Sequence, residues 1–108
     1  MVRQLNVRDL AAKLTANEEV YLVDVRQPWE HETAAFPNSV LVPLCELSGR
    51  TDELHPTEGA LVVVYCHHGI RSLSGAALLE AAGFKNVVSL TGGIDAWSLL
   101  VDPTIPRY

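Results

Sequence analysis

Cys66-His67-His68-Gly69-Ile70-Arg71-Ser72 is the stretch of this chain whose residue types and spacing suit covalent chemistry. It lies between an apolar run, Leu61-Val62-Val63-Val64-Tyr65, and a helical pattern that begins near Ser72. A cysteine at the end of a buried strand, ahead of a tight loop and a helix N-terminus, is placed to ionise. Main-chain N–H groups in such a loop can converge on an anion, and the helix end adds partial positive charge. Both effects favour the thiolate, which is the nucleophilic form. Gly69 admits a positive φ, so the backbone can curl around a sulfur atom. Arg71 sets a permanent cation at the rim, and Ser72 suits a helix N-cap. A free cysteine also serves as a small buried hydrophobe. Here the neighbouring glycine, arginine and serine describe an anion cradle centred on the Cys66 sulfur instead.

The elements that must hold this loop follow from hydrophobic periodicity. Asn6 caps a helix, with Asp9 three residues on and Val7, Leu10, Ala11 and Leu14 at helical spacing. Val20 to Val25 is nearly continuous in its hydrophobicity, which suits a strand buried on both faces. Pro28 starts a short helix through about Thr33. Val40-Leu41-Val42 is a short strand stopped by Pro43, and Leu44 to about Leu54 reads as helical despite Gly49. Leu61 to Tyr65 is a strand, and Ser72 to Ala82 is a helix ended by Gly83. Val87 to Leu90 is a further strand, followed by Thr91-Gly92-Gly93 and a helix from Ile94 to about Leu100. The tail, Asp102 to Tyr108, holds Pro103 and Pro106 and reads as coil over the surface. Strands alternating with helices imply an α/β sandwich with a mostly parallel sheet. Ligands bind such sheets at the carboxyl ends of strands, and Cys66 falls at such an end.

Composition narrows the function classes. The 108 residues fit one domain, 1–108, able to bury a core without disulfide staples. A net charge of −5 speaks against a nucleic-acid or membrane-surface binder, so an anionic substrate must be attracted locally. Two cysteines, Cys45 and Cys66, do not make a disulfide framework. No apolar segment of signal-peptide type follows Met1, and no run approaches bilayer-spanning length. The expected compartment is the cytoplasm, with Cys66 reduced. His67 and His68 invite a metal, but adjacent residues seldom aim at one centre and no second ligand pair exists. Neither a metal nor a cofactor is expected.

The loop resembles the active-site loop of single-domain rhodaneses, which are sulfurtransferases. Leu22-Val23-Asp24-Val25-Arg26-Gln27-Pro28-Trp29-Glu30 resembles that family's Asp-x-Arg…Glu segment, and Asn38-Ser39-Val40-Leu41-Val42-Pro43-Leu44 its following strand. Gly83-Phe84-Lys85-Asn86-Val87 and Gly92-Gly93-Ile94-Asp95-Ala96-Trp97 resemble its C-terminal signature. The resemblance implies a three-layer sandwich around a mostly parallel five-stranded sheet. It also implies a reaction in which Cys66 takes sulfane sulfur from a donor such as thiosulfate and becomes a persulfide. A thiol or cyanide then removes the sulfur, giving ping-pong kinetics. The substrate-binding residues implied are His67, His68, Gly69, Ile70, Arg71 and Ser72, with Arg71 on the donor's oxygens. Cysteine phosphatases of the same general fold carry one residue more between cysteine and arginine, so phosphatase chemistry is disfavoured.

Other residues have plainer readings. Asp24 and Arg26 are expected to tie loops together near the sheet's end, and Glu30 and Glu32 to be solvated or linked to such contacts. His31 and His55 read as surface residues, Cys45 as a buried or half-buried core thiol, and Trp97 and Phe84 as core anchors. Trp29 is expected partly exposed near the site. Many relatives carry Gly-His-Ile-Pro-Gly-Ala where this chain has Ala34-Ala35-Phe36-Pro37-Asn38-Ser39, which puts that turn in question. The expected partners are a small anionic sulfur donor and a thiol acceptor. A protein-to-protein sulfur relay with little thiosulfate turnover is the competing reading.

Overall fold

A computed structural model describes residues 2–108 of the chain. The strands are β1 (Arg3–Leu5), β2 (Val20–Asp24), β3 (Val40–Leu41), β4 (Leu61–Tyr65) and β5 (Val87–Leu90). The helices are α1 (Val7–Thr15), α2 (Pro28–Thr33), α3 (Arg71–Ala81) and α4 (Gly93–Leu100). The strands form one sheet in the order β1-β5-β4-β2-β3, and every pairing is parallel. The α/β sandwich expected from the sequence is therefore present, with a sheet that is wholly rather than mostly parallel.

Side-chain alternation on β4 divides the core into two layers. Val63 and Tyr65 face α1 and α4, packing with Val7, Leu10, Ile94 and Trp97. Val62 and Val64 face α3 and the Leu44–Gly49 segment, packing with Leu47, Ala76 and Leu79. Val63 pairs with Leu22 on one side and Val88 on the other, so β4 is hydrogen-bonded on both edges. A strand flanked and covered this way explains the unbroken Val62-Val63-Val64 run. The chain leaves β2 outward to β3 and returns to β4 on the other side of β2. The ends of β2 and β4 therefore lie side by side at the switch in strand order, where such sheets bind ligands.

Four local readings are corrected. Leu44 to Leu54 is not one α-helix but two 3₁₀ segments, Leu44–Gly49 and Thr51–Glu53, meeting at Arg50. Gly49 weakens the helix there, and burial of Leu47 holds the shorter turn. The edge strand β1 has no apolar run to announce it and exposes Arg3 and Gln4. Cys45 is exposed rather than buried, since its segment turns Leu47 inward instead. His31 is half-buried because its Nδ1 bonds the Asp24 carboxylate at 2.8 Å.

The altered turn is intact. Asn38 takes the left-handed conformation, φ 64°, a region that asparagine tolerates better than most residues. Phe36 is buried against Tyr65, with ring centres 4.7 Å apart, and against Trp97 at 4.9 Å. Among the described residues no helix is long and apolar enough to cross a membrane. Truncating Phe36 leaves a cavity between two aromatic rings, so Phe36→Ala should cost about 3–5 kcal/mol in urea unfolding. A loss below about 1 kcal/mol would mean that the ring does not anchor this layer.

Candidate active site

Cys66 follows directly on β4, and its side chain is 1% exposed. Burial alone would suit an inert thiol, yet the sulfur faces donors. The Gly69 amide reaches Sγ at 3.1 Å and the Ser72 amide at 3.4 Å. The Ser72 hydroxyl lies 3.5 Å from Sγ and 2.7 Å from the Ser89 hydroxyl. Between the two bound amides, those of Ile70 and Arg71 have no acceptor among the described residues. The loop thus turns two donors to the sulfur and leaves two more beside them without acceptors.

The loop is shaped from outside by α4. The Ile94 amide donates to the Cys66 carbonyl at 2.9 Å, and the Asp95 amide to the His67 carbonyl at 3.1 Å. These bonds fix the Cys66–His67 and His67–His68 peptide planes, the first two of the loop. This contact needs Gly93, φ 62°, where a Cβ would run into the Cys66 and His67 carbonyl oxygens. Gly69, φ 94°, is less tight but still leaves no room for a side chain, since a Cβ there would meet the Gly92 nitrogen at 2.9 Å. The approach of α4 to the loop therefore needs glycine on both sides.

Arg71 opens α3 instead of preceding it, and the N-cap is Ile70. Ser72 consequently does not cap the helix; its hydroxyl turns to Cys66 and Ser89. Arg71 pairs with Glu30 through two parallel bonds, Nη1 to Oε1 at 2.7 Å and Nη2 to Oε2 at 2.9 Å. The Gln27 amide reaches Glu30 Oε1 at 3.0 Å and the Tyr108 hydroxyl donates to Oε2 at 2.7 Å. The Arg71 hydrogen bonds lead in holding the Glu30 carboxyl down at about 2, against the opposing effect of burial. Tyr108 in turn accepts from Arg26 Nη1 at 2.8 Å, and its phenol is pushed up to about 12, burial first and Glu30 after.

Asp24 and Arg26 have the structural role expected of them. Both are fully buried, and Arg26 donates from Nε and Nη2 to the two Asp24 oxygens at 2.8 and 2.7 Å. Arg26 Nη2 also donates to the Ala34 carbonyl, which fastens the segment after α2. A buried pair with this many partners avoids the cost of an uncompensated charge.

His67 is stacked between His68 and Tyr108, ring centres 3.9 and 4.1 Å away. Its Nε2 is buried without a hydrogen-bond partner, and burial, then the neighbouring His68, push its pKa down toward the neutral ring. His67, His68 and Asp95 bring possible ligand atoms within 4.8 Å of one another. The two imidazoles are nearly parallel, 18° apart, so their in-plane lone pairs run side by side. A metal about 2.0–2.1 Å from both nitrogens would leave the plane of at least one ring. Asp95 is also engaged by Arg107 at 2.8 Å. The cluster fits an aromatic stack better than a metal centre.

Of the residues singled out from sequence, the structure gathers Cys66, Gly69, Arg71 and Ser72 around or beside the sulfur. His67 and His68 form the stacked wall, and Ile70 stands 74% exposed at the rim. Trp29 is exposed near the site, its ring edge-on to Tyr108 at 5.6 Å. Glu30 is linked to the Arg26 contacts through Tyr108, one of the two alternatives read for it, and Tyr108 is the member that local sequence does not disclose. Tyr108 meets Arg26 across 82 positions, and no spacing rule reports such a contact.

Comparison with known proteins agrees with this architecture. The rhodanese-like domain family matches residues 6–100. The chain is 38% identical to the rhodanese-like/PpiC domain-containing protein 12 of Arabidopsis thaliana, covering 99% of this chain but 38% of that protein. It is 34% identical to a sulfurtransferase of Allochromatium vinosum, covering 91% and 90% of the two chains. It is 33% identical to the adenylyltransferase and sulfurtransferase uba4 of Ogataea parapolymorpha, of which it spans 24% while 89% of this chain is covered. Among solved structures, a rhodanese-related protein of Thermoplasma volcanium superposes with a TM-score of 0.82 at 28% identity, covering 98% and 99% of the chains.

The Glu30 clamp gives a pH signature. A carboxyl held at about 2 in the fold and near 4.5 outside it stabilises the fold in its ionised form. That contribution is complete above the unfolded value and disappears as pH falls through the folded one. Urea unfolding of the native chain and Glu30→Gln should differ by a constant amount near neutrality. The gap should close between pH 4.5 and about 2. A gap undiminished at the acid end would show that the pair with Arg71 is not what Glu30 contributes.

Proposed function

This chain belongs to the rhodanese-like domain family, and we propose that it is a sulfurtransferase whose sulfur carrier is Cys66. The observation that carries this reading is the sulfur's setting: two amides on Sγ, and the Ile70 and Arg71 amides without acceptors beside them. The Cys66 thiolate attacks the sulfane sulfur of a donor such as thiosulfate. A new S–S bond forms at Sγ as the donor's S–S bond breaks and sulfite leaves with the electron pair. The product is a Cys66 persulfide anion, and no net oxidation or reduction occurs. A thiol or cyanide then attacks the outer sulfur, and the Cys66 thiolate is the leaving group, giving two half-reactions.

Each residue of the loop has a part. The Gly69 and Ser72 amides hold Sγ, and Ser72, steadied by Ser89, turns its hydroxyl to donate once the Cys66 sulfur is ionised. The Ile70 and Arg71 amides receive the outer sulfur's charge. Charge-assisted bonds of this kind are stronger than neutral ones. His67 and His68 wall the loop as a stacked pair, and burial favours the neutral form of His67.

A relay between proteins is the second reading, with another protein as donor or acceptor. It is favoured by the exposed Trp29 and Ile70 beside the loop, and by relatives in which the matched segment is a quarter of a longer chain. Sulfur loading from a cysteine desulfurase that outpaces loading from thiosulfate would select it.

Cys66→Ser should abolish thiocyanate formation from thiosulfate and cyanide, while circular dichroism stays native. Turnover retained in that variant would remove Cys66 from the reaction. Ser72→Ala removes one weak donor to sulfur and should slow turnover about two- to tenfold.

A further inference from the structure

We propose that Glu30 is a specificity residue: by clamping Arg71 it turns the Cys66 site away from sulfane-sulfur dianions such as thiosulfate and toward alkyl hydropersulfides. The inference rests on the reading of Cys66 as the sulfur acceptor and names the donor class that the site favours.

The loop offers one fixed cation, and it is already taken. Two short parallel bonds occupy the end-on fork of the Arg71 guanidinium, the same fork that would grip the oxygens of a small oxyanion. The carboxylate is the anchored partner: the Glu30 side chain is 5% exposed and that of Arg71 38%. Glu30 is also bound by the Gln27 amide and the Tyr108 hydroxyl, and Tyr108 by Arg26, which the buried Asp24 holds. An Arg71 that swung away to a substrate would leave a buried carboxylate without its cation, an expensive arrangement.

The other charges near the loop do not replace it. Asp95 is matched by Arg107, and His67 faces the site as a neutral ring. A donor arriving at Cys66 therefore meets oriented amides and an arginine whose charge Glu30 already compensates, on a chain whose net charge is −5. Amide dipoles suffice for a single charge localised on sulfur. A dianion must also bring its second charge toward Glu30.

The two donors differ in this respect. Thiosulfate carries two negative charges and releases sulfite, also doubly charged. An alkyl hydropersulfide, R–S–SH, carries at most one. Attack of the Cys66 thiolate on its outer sulfur forms the Sγ–S bond, breaks the donor's S–S bond and releases R–S⁻. The hydropersulfide proton stays with the Cys66 persulfide or passes to the departing thiolate. Atoms, charge and oxidation states balance without a co-reactant.

The test follows Cys66 persulfide formation by rapid quench and intact mass, with thiosulfate and glutathione hydropersulfide at varied concentration. In Glu30→Gln the amide group retains an oxygen for the Gln27 N–H but no charge for Arg71. The ratio of second-order loading rates, thiosulfate over hydropersulfide, should rise about tenfold. The rise should come from a lower half-saturating thiosulfate concentration and should fade at high salt. Glu30→Asp, which keeps the charge, should move the ratio back toward the native value. If Glu30→Gln does not fold, Tyr108→Phe decides: losing one bond to Glu30 should raise the ratio by a smaller factor. An unchanged or lowered ratio in the deciding variant overturns the proposal while leaving the sulfurtransferase reading standing. Native protein that takes sulfur from neither donor overturns that reading, and the assignment of Glu30 with it.

Discussion

A buried sulfur is reactive only when the protein turns hydrogen-bond donors toward it, and the Cys66 loop meets this constraint with main chain. Sγ has almost no contact with solvent, yet the Gly69 and Ser72 amides point at it. The start of the loop is fixed from behind. The first turn of α4 presents N–H groups that bond the Cys66 and His67 carbonyls, which sets the peptide planes carrying the His67 and His68 amides. Gly93 and Gly69 permit the approach because a Cβ at either would collide with backbone. The path of the loop away from Cys66 thus rests on a helix that contributes no side chain to the sulfur.

A second constraint is the handling of charge. Asp24, Arg26, Tyr108, Glu30 and Arg71 form a continuous hydrogen-bonded chain from the end of β2 to the rim of the loop. Each buried charge has an opposite charge beside it, and the Tyr108 phenol joins the two ion pairs by accepting from one and donating to the other. Burial of such pairs is weak evidence for stability, since desolvation opposes their attraction. Their effect is geometric: they fix α2, the final residues and the start of α3 against one another. The position of Arg71 is consequently set by groups far from it in sequence.

Much of this was legible before any coordinates. The Leu61–Tyr65 run specified the central strand, since hydrophobicity without alternation is what a strand covered on both faces requires. Gly69 and the strand–loop–helix setting singled out Cys66 as the sulfur that donors would face, and the Asp24–Arg26 pair was read as a tie, as its hydrogen bonds show it to be. What escaped was non-local or hidden by weak patterning. β1 is short and exposed, so its three residues carry no periodic signal. The 3₁₀ segments share apolar spacing with an α-helix, and only Leu47 packing separates the two. Arg71 was expected to reach for substrate because nothing in its neighbourhood names Glu30, 41 positions away, as its partner. The missing glycine after Pro37 was less consequential than it looked, because Asn38 itself adopts a left-handed conformation there.

The account stands or falls on whether the loop's unfilled amides hold the transferred sulfur. A crystal structure of the protein after reaction with a sulfane-sulfur donor tests this directly. The account predicts an outer sulfur on Cys66 within hydrogen-bonding distance of the Ile70 and Arg71 amides, with the Gly69 and Ser72 amides still on Sγ. An outer sulfur turned away from those amides, or a loop that opens to expose the cysteine before it takes up sulfur, would contradict it.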